Sequence, residues 1–131
     1  ENMVSPIVEK SENAVKGWKE PIEFLWIDGD HSYKAAKLDF DLWSPFLVDG
    51  GVVAFHDSTF GDVKKVVRES LSDKKFQNLG FAQSITFATK KDGKKNNLKK
   101  TIVFLKIDII DFFRKLPIPG FLRKLLKKIA K

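Results

Sequence analysis

The chain has 131 residues, 43% of them hydrophobic and 12% aromatic, with 24 Lys and Arg against 17 Asp and Glu. That size and composition fit one globular domain and exclude a multidomain machine, a repeat array or a disordered polyelectrolyte. The net charge of +7 is the sum of two unlike parts: residues 1–89 carry 10 Lys/Arg and 14 Asp/Glu, a net of −4, whereas residues 90–131 carry 14 and 3, a net of +11. Any polyanion partner therefore concerns the tail alone. With no cysteine there is no disulfide framework and no cysteine zinc site, which fits a reducing, cytoplasmic setting. Glu1-Asn2-Met3-Val4 has neither a basic nor an apolar segment, so no signal peptide is expected there.

Short apolar runs alternate with amphipathic stretches through the first two-thirds of the chain, a pattern that predicts mostly parallel strands covered by helices. Val4 to Val8 reads as a strand, and Ser11 as the cap of a short helix running toward Trp18. Ile22-Glu23-Phe24-Leu25-Trp26-Ile27 is a buried strand that stops at the polar Asp28-Gly29-Asp30-His31. Ser32 to Trp43 follows as a crossover helix with Ala35, Leu38 and Leu42 on one face and Pro45 beyond its end. Asp49-Gly50-Gly51 reads as a turn. Val52-Val53-Ala54-Phe55 is then a second buried strand, again ending in a polar pair, His56-Asp57.

Val63, Val66, Val67 and Leu71 recur at helical spacing and predict another helix. Phe81 to Thr89 reads either as a final strand or as half of a hairpin. Residues 90–97 are a linker by composition. Beyond it, Leu98, Ile102, Leu105, Ile109, Phe112 and Leu116 are spaced alternately four and three apart, a seam suited to packing against another helix. Pro117 and Pro119-Gly120 break that helix. A last helix carries Phe121, Leu122, Leu125, Leu126 and Ile129 on one side and Arg123, Lys124, Lys127, Lys128 and Lys131 on the other. Neither tail helix spans a bilayer, since charges interrupt the apolar run well short of about 20 residues.

The chemistry concentrates where the two buried strands end. Strands joined by a single crossover helix are parallel, and parallel neighbours lie about 4.8 Å apart. Asp28 and the His56-Asp57 pair then converge at the carboxyl edge of the sheet, where open α/β sheets bind ligands. Carboxylates so close need a counter-charge, which a divalent cation such as Mg²⁺ supplies. His31, one turn beyond Asp28, sits beside such an ion, positioned to take a proton from a bound hydroxyl. The structural alternative stays open: polar residues end many buried strands, Asp28-Gly29 makes a turn, and Asp30 or Ser32 caps the next helix. Against it, both histidines of the chain fall at this edge, each close to an aspartate.

The run Phe24-Leu25-Trp26-Ile27-Asp28-Gly29-Asp30-His31-Ser32-Tyr33, then Asp39 to Leu47, then Gly50-Gly51-Val52-Val53-Ala54-Phe55-His56-Asp57, resembles class I S-adenosylmethionine-dependent methyltransferases of the methyltransferase domain 24 type. The resemblance spans roughly residues 4–90 and rests on an IDGDHSY, D-x-x-x-W-x-P-x-L, GG and HD signature. It implies a Rossmann-like sheet, methyl transfer from S-adenosylmethionine to a hydroxylated small molecule or sugar, and a divalent metal. By comparison with catechol-type and macrolide-sugar relatives it implies Asp28, His56 and Asp57 as metal ligands and His31 as the general base. Ser11 and Glu12 fall on a segment that contacts the adenine ring in catechol-type relatives, although a serine before a helix also serves simply as a cap. Catechol-type relatives carry an acid where His56 stands. The glycine-rich loop and the ribose-binding acid of the family have no counterpart ahead of Asp28. The chain thus resembles the C-terminal half of such an enzyme, as a truncated form, a fragment or a degenerate descendant.

Residues 1–93 are accordingly expected to form that half-domain, and 94–131 a linker and basic amphipathic tail. The tail's form suits either docking on its own domain or a second subunit, or peripheral contact of residues 121–131 with anionic lipid. Nucleic acid is disfavoured, because the basic residues are backed by aliphatic rather than base-stacking side chains. A half-sheet also leaves an unpaired edge that invites homo-oligomers. The contrasting function is a catalytically inactive α/β module that binds a partner or a membrane surface through its tail.

Overall fold

The computed structural model describes residues 3–59, 61–91, 97–117 and 119–120. Four strands, β1 (Ile22–Ile27), β2 (Leu47–Phe55), β3 (Phe76–Ala82) and β4 (Ile85–Lys90), form one sheet in the order β1-β2-β4-β3. The helices are α1 (Ser11–Ala14), α2 (Tyr33–Trp43), α3 (Gly61–Leu71) and α4 (Asn97–Lys115), with 3₁₀ turns over Val15–Gly17 and Ser44–Phe46.

The sheet is mixed rather than mostly parallel. Among the described residues only β1 and β2 pair in parallel, and β4 runs antiparallel to both β2 and β3. The cause is local: two residues, Gln83 and Ser84, join β3 to β4, and so short a link closes only an antiparallel hairpin. Gln83 takes a positive φ of 57° to make that turn. The fold remains α/β with flanking helices, compatible with a Rossmann-like arrangement.

Three local expectations also change. Val4 to Val8 is exposed and belongs to no strand. Ser11 is the first helical residue rather than the cap, and the Lys10 carbonyl accepts from Asn13 and Ala14 instead. Asp49-Gly50-Gly51 is not a turn between elements but lies within β2, whose register against β1 jumps from Ile22↔Leu47 to Phe24↔Val52. Gly50 at φ 85° accommodates this bulge, a conformation open to glycine at no steric cost.

Cross-strand register sorts the side chains. Ile27 faces Phe55, which faces Thr86, and Leu25 faces Val53, which faces Ala88, so these share one side of the sheet. Against that side pack Ala36 and Phe40 of α2, Val63, Val66, Val67 and Leu71 of α3, and Val103 and Ile107 of α4. Phe40 stacks on Phe55 at 5.7 Å between ring centroids and lies 5.5 Å from Phe76. That pairing explains why α2 buries Ala36 and Phe40 and leaves Leu38 exposed: an aromatic side chain removes more apolar area from water than leucine does. The opposite side of the sheet carries Phe24, Trp26, Val52, Ala54 and Phe87. Its aromatic residues stay partly exposed, Phe24 most of all at 58%.

α4 joins the same core. Its inward face presents Lys100, Val103, Ile107 and Asp111. The Lys100 ammonium donates to the carbonyls of Leu71 (2.9 Å) and Asp73 (2.6 Å), closing the C-terminal end of α3 with a positive charge. Asp111 accepts from Lys64 and Lys115, and Arg68 donates to Asp108 at 2.7 Å. Lys115 ends the helix, as Pro117 requires. The amphipathic segment 121–131 lies outside the described residues.

Candidate functional site

β1 and β2 end side by side because Ile27 and Phe55 are register partners and the His56 amide donates to the Ile27 carbonyl at 3.0 Å. The next residue on each strand is therefore Asp28 and His56. His56 Nδ1 lies 3.0 Å from Asp28 Oδ1. Beyond His56 the chain turns sharply, with Asp57 in the left-handed region at φ 48°, which brings its carboxylate 3.8 Å from His56 Nδ1 and from His31 Nδ1. The other His31 nitrogen, Nε2, lies 3.6 Å from Asp28 Oδ1.

Two sets of hydrogen bonds hold these loops. After β1, the Ser32 amide donates to Asp30 Oδ1 at 2.8 Å and the Ser32 hydroxyl accepts from the Ala35 amide at 3.3 Å, so Asp30 and Ser32 shape the turn and cap α2. The Tyr33 amide donates to Asp62, and its hydroxyl donates to Glu69 at 2.7 Å, tying the loop to α3. After β2, the buried Ser58 hydroxyl donates to the Ser84 carbonyl at 2.8 Å and lies 2.7 Å from the Thr86 hydroxyl. This fastens the His56-Asp57 turn to the β3–β4 hairpin. Nothing in the sequence periodicity marks Ser58, because its partners lie 26 and 28 residues away.

Asp28 stays a carboxylate. Its partial burial alone pushes its pKa up, but the hydrogen bond from the Trp26 indole (3.4 Å) and the neighbouring His56 and His31 imidazoles outweigh this and hold it below the usual aspartate value. Asp30 is likewise held low, by the Ser32 backbone and side chain.

Asp28, His31 and His56 can each offer one ligand atom, with all three atoms within 4.8 Å of one another. Among the described residues the buried His56 Nδ1 has no hydrogen-bond partner, although Asp28 Oδ1 lies 3.0 Å away. A buried nitrogen without a partner, facing a carboxylate and a second imidazole, fits a divalent cation. The donor set of two imidazoles and a carboxylate suits a first-row transition ion better than Mg²⁺, which prefers oxygen. Of the ligands expected from the sequence, Asp28 and His56 fall in this cluster, and Asp57 stands at its margin. His31, expected as a base, lies inside it.

Beside the cluster, an open cleft of about 380 Å³ is lined by Ser11, Leu25, Trp26, Ile27, Asp28, Gly29, Asp39 and Trp43. Ser11 thus shares a cleft with Asp28, whereas Glu12 is exposed and outside the lining. The Asp39 carboxylate packs so closely over Gly29 that a Cβ there would lie 3.2 Å from it. The sequence marks Trp26 only as a strand residue; it lines the cleft together with its strand neighbours Leu25 and Ile27.

Residues 1–58 match a family model described as a methyltransferase domain. The matched segment runs from α1 through β2 and contains Ser11, Glu12, Asp28, His31, His56 and Asp57. Over that segment the chain is similar to part of a methyltransferase domain, consistent with the class I S-adenosylmethionine-dependent type.

Proposed function

We propose that this chain is part of a methyltransferase that moves the methyl group of S-adenosylmethionine to a hydroxyl of a small molecule or sugar, assisted by a divalent metal. The observation that carries this reading is the convergence of Asp28, His31, His56 and Asp57 at the ends of two adjacent parallel strands, inside the segment that matches the methyltransferase family.

Asp28 and His56 would hold the ion, with Asp57 completing the set. A bound divalent ion lowers the pKa of a substrate hydroxyl and orients it. His31 accepts the hydroxyl proton, and the Asp28 and Asp57 carboxylates on either side stabilise the imidazolium that results. The cleft is lined by Trp26 and Trp43 together with Asp28 and Asp39, residue types suited to a planar base and a cationic centre. Ser11 would add a hydroxyl partner. Its volume lies within the usual range for small-molecule sites, roughly 300–1,000 Å³.

Isothermal titration of the chain with S-adenosylmethionine, with and without Zn²⁺ or Mn²⁺, tests the reading. Binding that strengthens with metal supports it. If neither this chain nor a longer product of the same gene binds, the enzyme reading fails.

A further inference from the structure

The four-three apolar seam of α4 is not the face that packs on the domain. The core receives Val103 and Ile107, flanked by Lys100 and Asp111, while Leu98, Ile102, Leu105, Ile109 and Phe112 run along the opposite side, 46% to 71% exposed. The 19-residue helix is about 28 Å long, so this stripe is long, continuous and turned to solvent. Lysines border it: Lys99 and Lys106 on one flank, Lys115 on the other. No helix of the described residues is long and apolar enough to cross a membrane.

We infer that the outer face of α4 docks on an anionic lipid surface, lying in the headgroup plane with Leu98, Ile102, Leu105, Ile109 and Phe112 inserted. Charge selects this occupant. Asn97–Lys115 carries five Lys and Arg against Asp108 and Asp111, a net of +3, while residues 1–89 are net negative. The acids on α4 are paired, Asp108 with Arg68 and Asp111 with Lys64 and Lys115, so no unpaired acid borders the stripe among the described residues, and Lys106 adds a cation to its flank. Lysines beside a solvent-facing apolar stripe are the features that bind a helix to anionic headgroups.

A second copy fits less well. In a parallel pairing of two α4 helices, Asp108 meets Phe113 and Lys106 meets Thr101, so no opposite charges pair. An antiparallel pairing over the whole stripe sets Lys106 against Lys106 or Lys99. The inference stands on α4 alone and is independent of the methyl-transfer reading.

Because the chain has no cysteine, single labels are available. The full chain is labelled with an environment-sensitive fluorophore at Ile109→Cys, or at Lys34→Cys, an exposed position of α2, as a control. It is then mixed with vesicles of phosphatidylcholine alone or enriched in phosphatidylserine. The expected result is a blue shift at position 109 but not at 34, with serine-rich vesicles only. Unlabelled protein should co-float with those vesicles, and Leu105→Glu/Ile109→Glu should weaken that binding by about tenfold or more. Both residues are exposed, and a circular-dichroism melt matching the parent shows that the variant folds. Flotation without a shift at 109, or undiminished by the double variant, overturns the inference. So does absence of binding together with a dimer on size exclusion that Leu105→Glu/Ile109→Glu dissociates, which would assign the face to a second copy.

Discussion

His56 Nδ1 lies 3.0 Å from Asp28 Oδ1, across two strands whose last residues, Ile27 and Phe55, are register partners. One parallel pairing thus assembles a site from residues 28 positions apart in the chain. Removing either partner tests its metal function. Asp28→Asn keeps the shape and removes the charge, and it should lower Zn²⁺ or Mn²⁺ affinity about 100-fold in calorimetric titration, with little change in melting temperature because the side chain is 41% exposed.

His31 has two candidate roles, ligand and base, and His31→Ala separates them. As a base that leaves the ion to Asp28, His56 and Asp57, its loss should change metal affinity only a few-fold while lowering methyl transfer by about 10²–10⁴. A loss of metal affinity as large as that of Asp28→Asn would make it a ligand instead.

Ser58 is fully buried and bonded to the β3–β4 hairpin, so Ser58→Ala takes from the Thr86 hydroxyl its Ser58 partner and leaves the Ser84 carbonyl the Ser58 amide alone. Urea denaturation should show a loss of about 1–2 kcal/mol. Metal affinity should fall with it, because the same bonds hold the His56-Asp57 turn.

Gly80 sits beneath the Phe87 ring, where an added Cβ would lie 2.1 Å from the ring's Cζ. Gly80→Ala should destabilise by roughly 1–3 kcal/mol through overpacking. Phe87→Leu should recover most of that loss in a double-mutant cycle.

Asp111 carries the acid dependence of α4 docking. Burial alone raises its pKa, but the hydrogen bonds and charges of Lys64 and Lys115 outweigh this and hold it below the ordinary aspartate value of 3.8. A carboxyl with a depressed folded pKa stabilises the fold above its unfolded value and loses that contribution as pH falls through the folded one. Melting followed from pH 6 down to about pH 2 should therefore show a falling limb below about pH 4. Asp111→Asn should flatten that limb and be less stable at neutral pH.

Much of this protein was legible as sequence. The third helix announced itself most clearly by spacing, at Val63, Val66, Val67 and Leu71, all four of which are buried, whereas the spacing of α2 marked Ala35, Leu38 and Leu42 and the structure buries Ala36 and Phe40. The strand ends at Asp28 and His56 stood out because apolar runs stop abruptly at charged residues. Hydrophobic periodicity and polar punctuation are local, so the chain alone determines them, and with them the α/β class and the residues that reach the sheet's edge. What the chain alone left open is relational. The pairing of β4 with β2, the bulge at Gly50 and the anchoring of Ser58 depend on contacts between distant segments. So does the orientation of α4, whose sequence offers two apolar stripes, one at Val103 and Ile107 and one at Leu98 to Phe112. Only the packed structure decides which is covered. The first stripe is flanked by Lys100 and Asp111, which reach the end of α3 and Lys64, and those charged contacts turn the longer stripe outward.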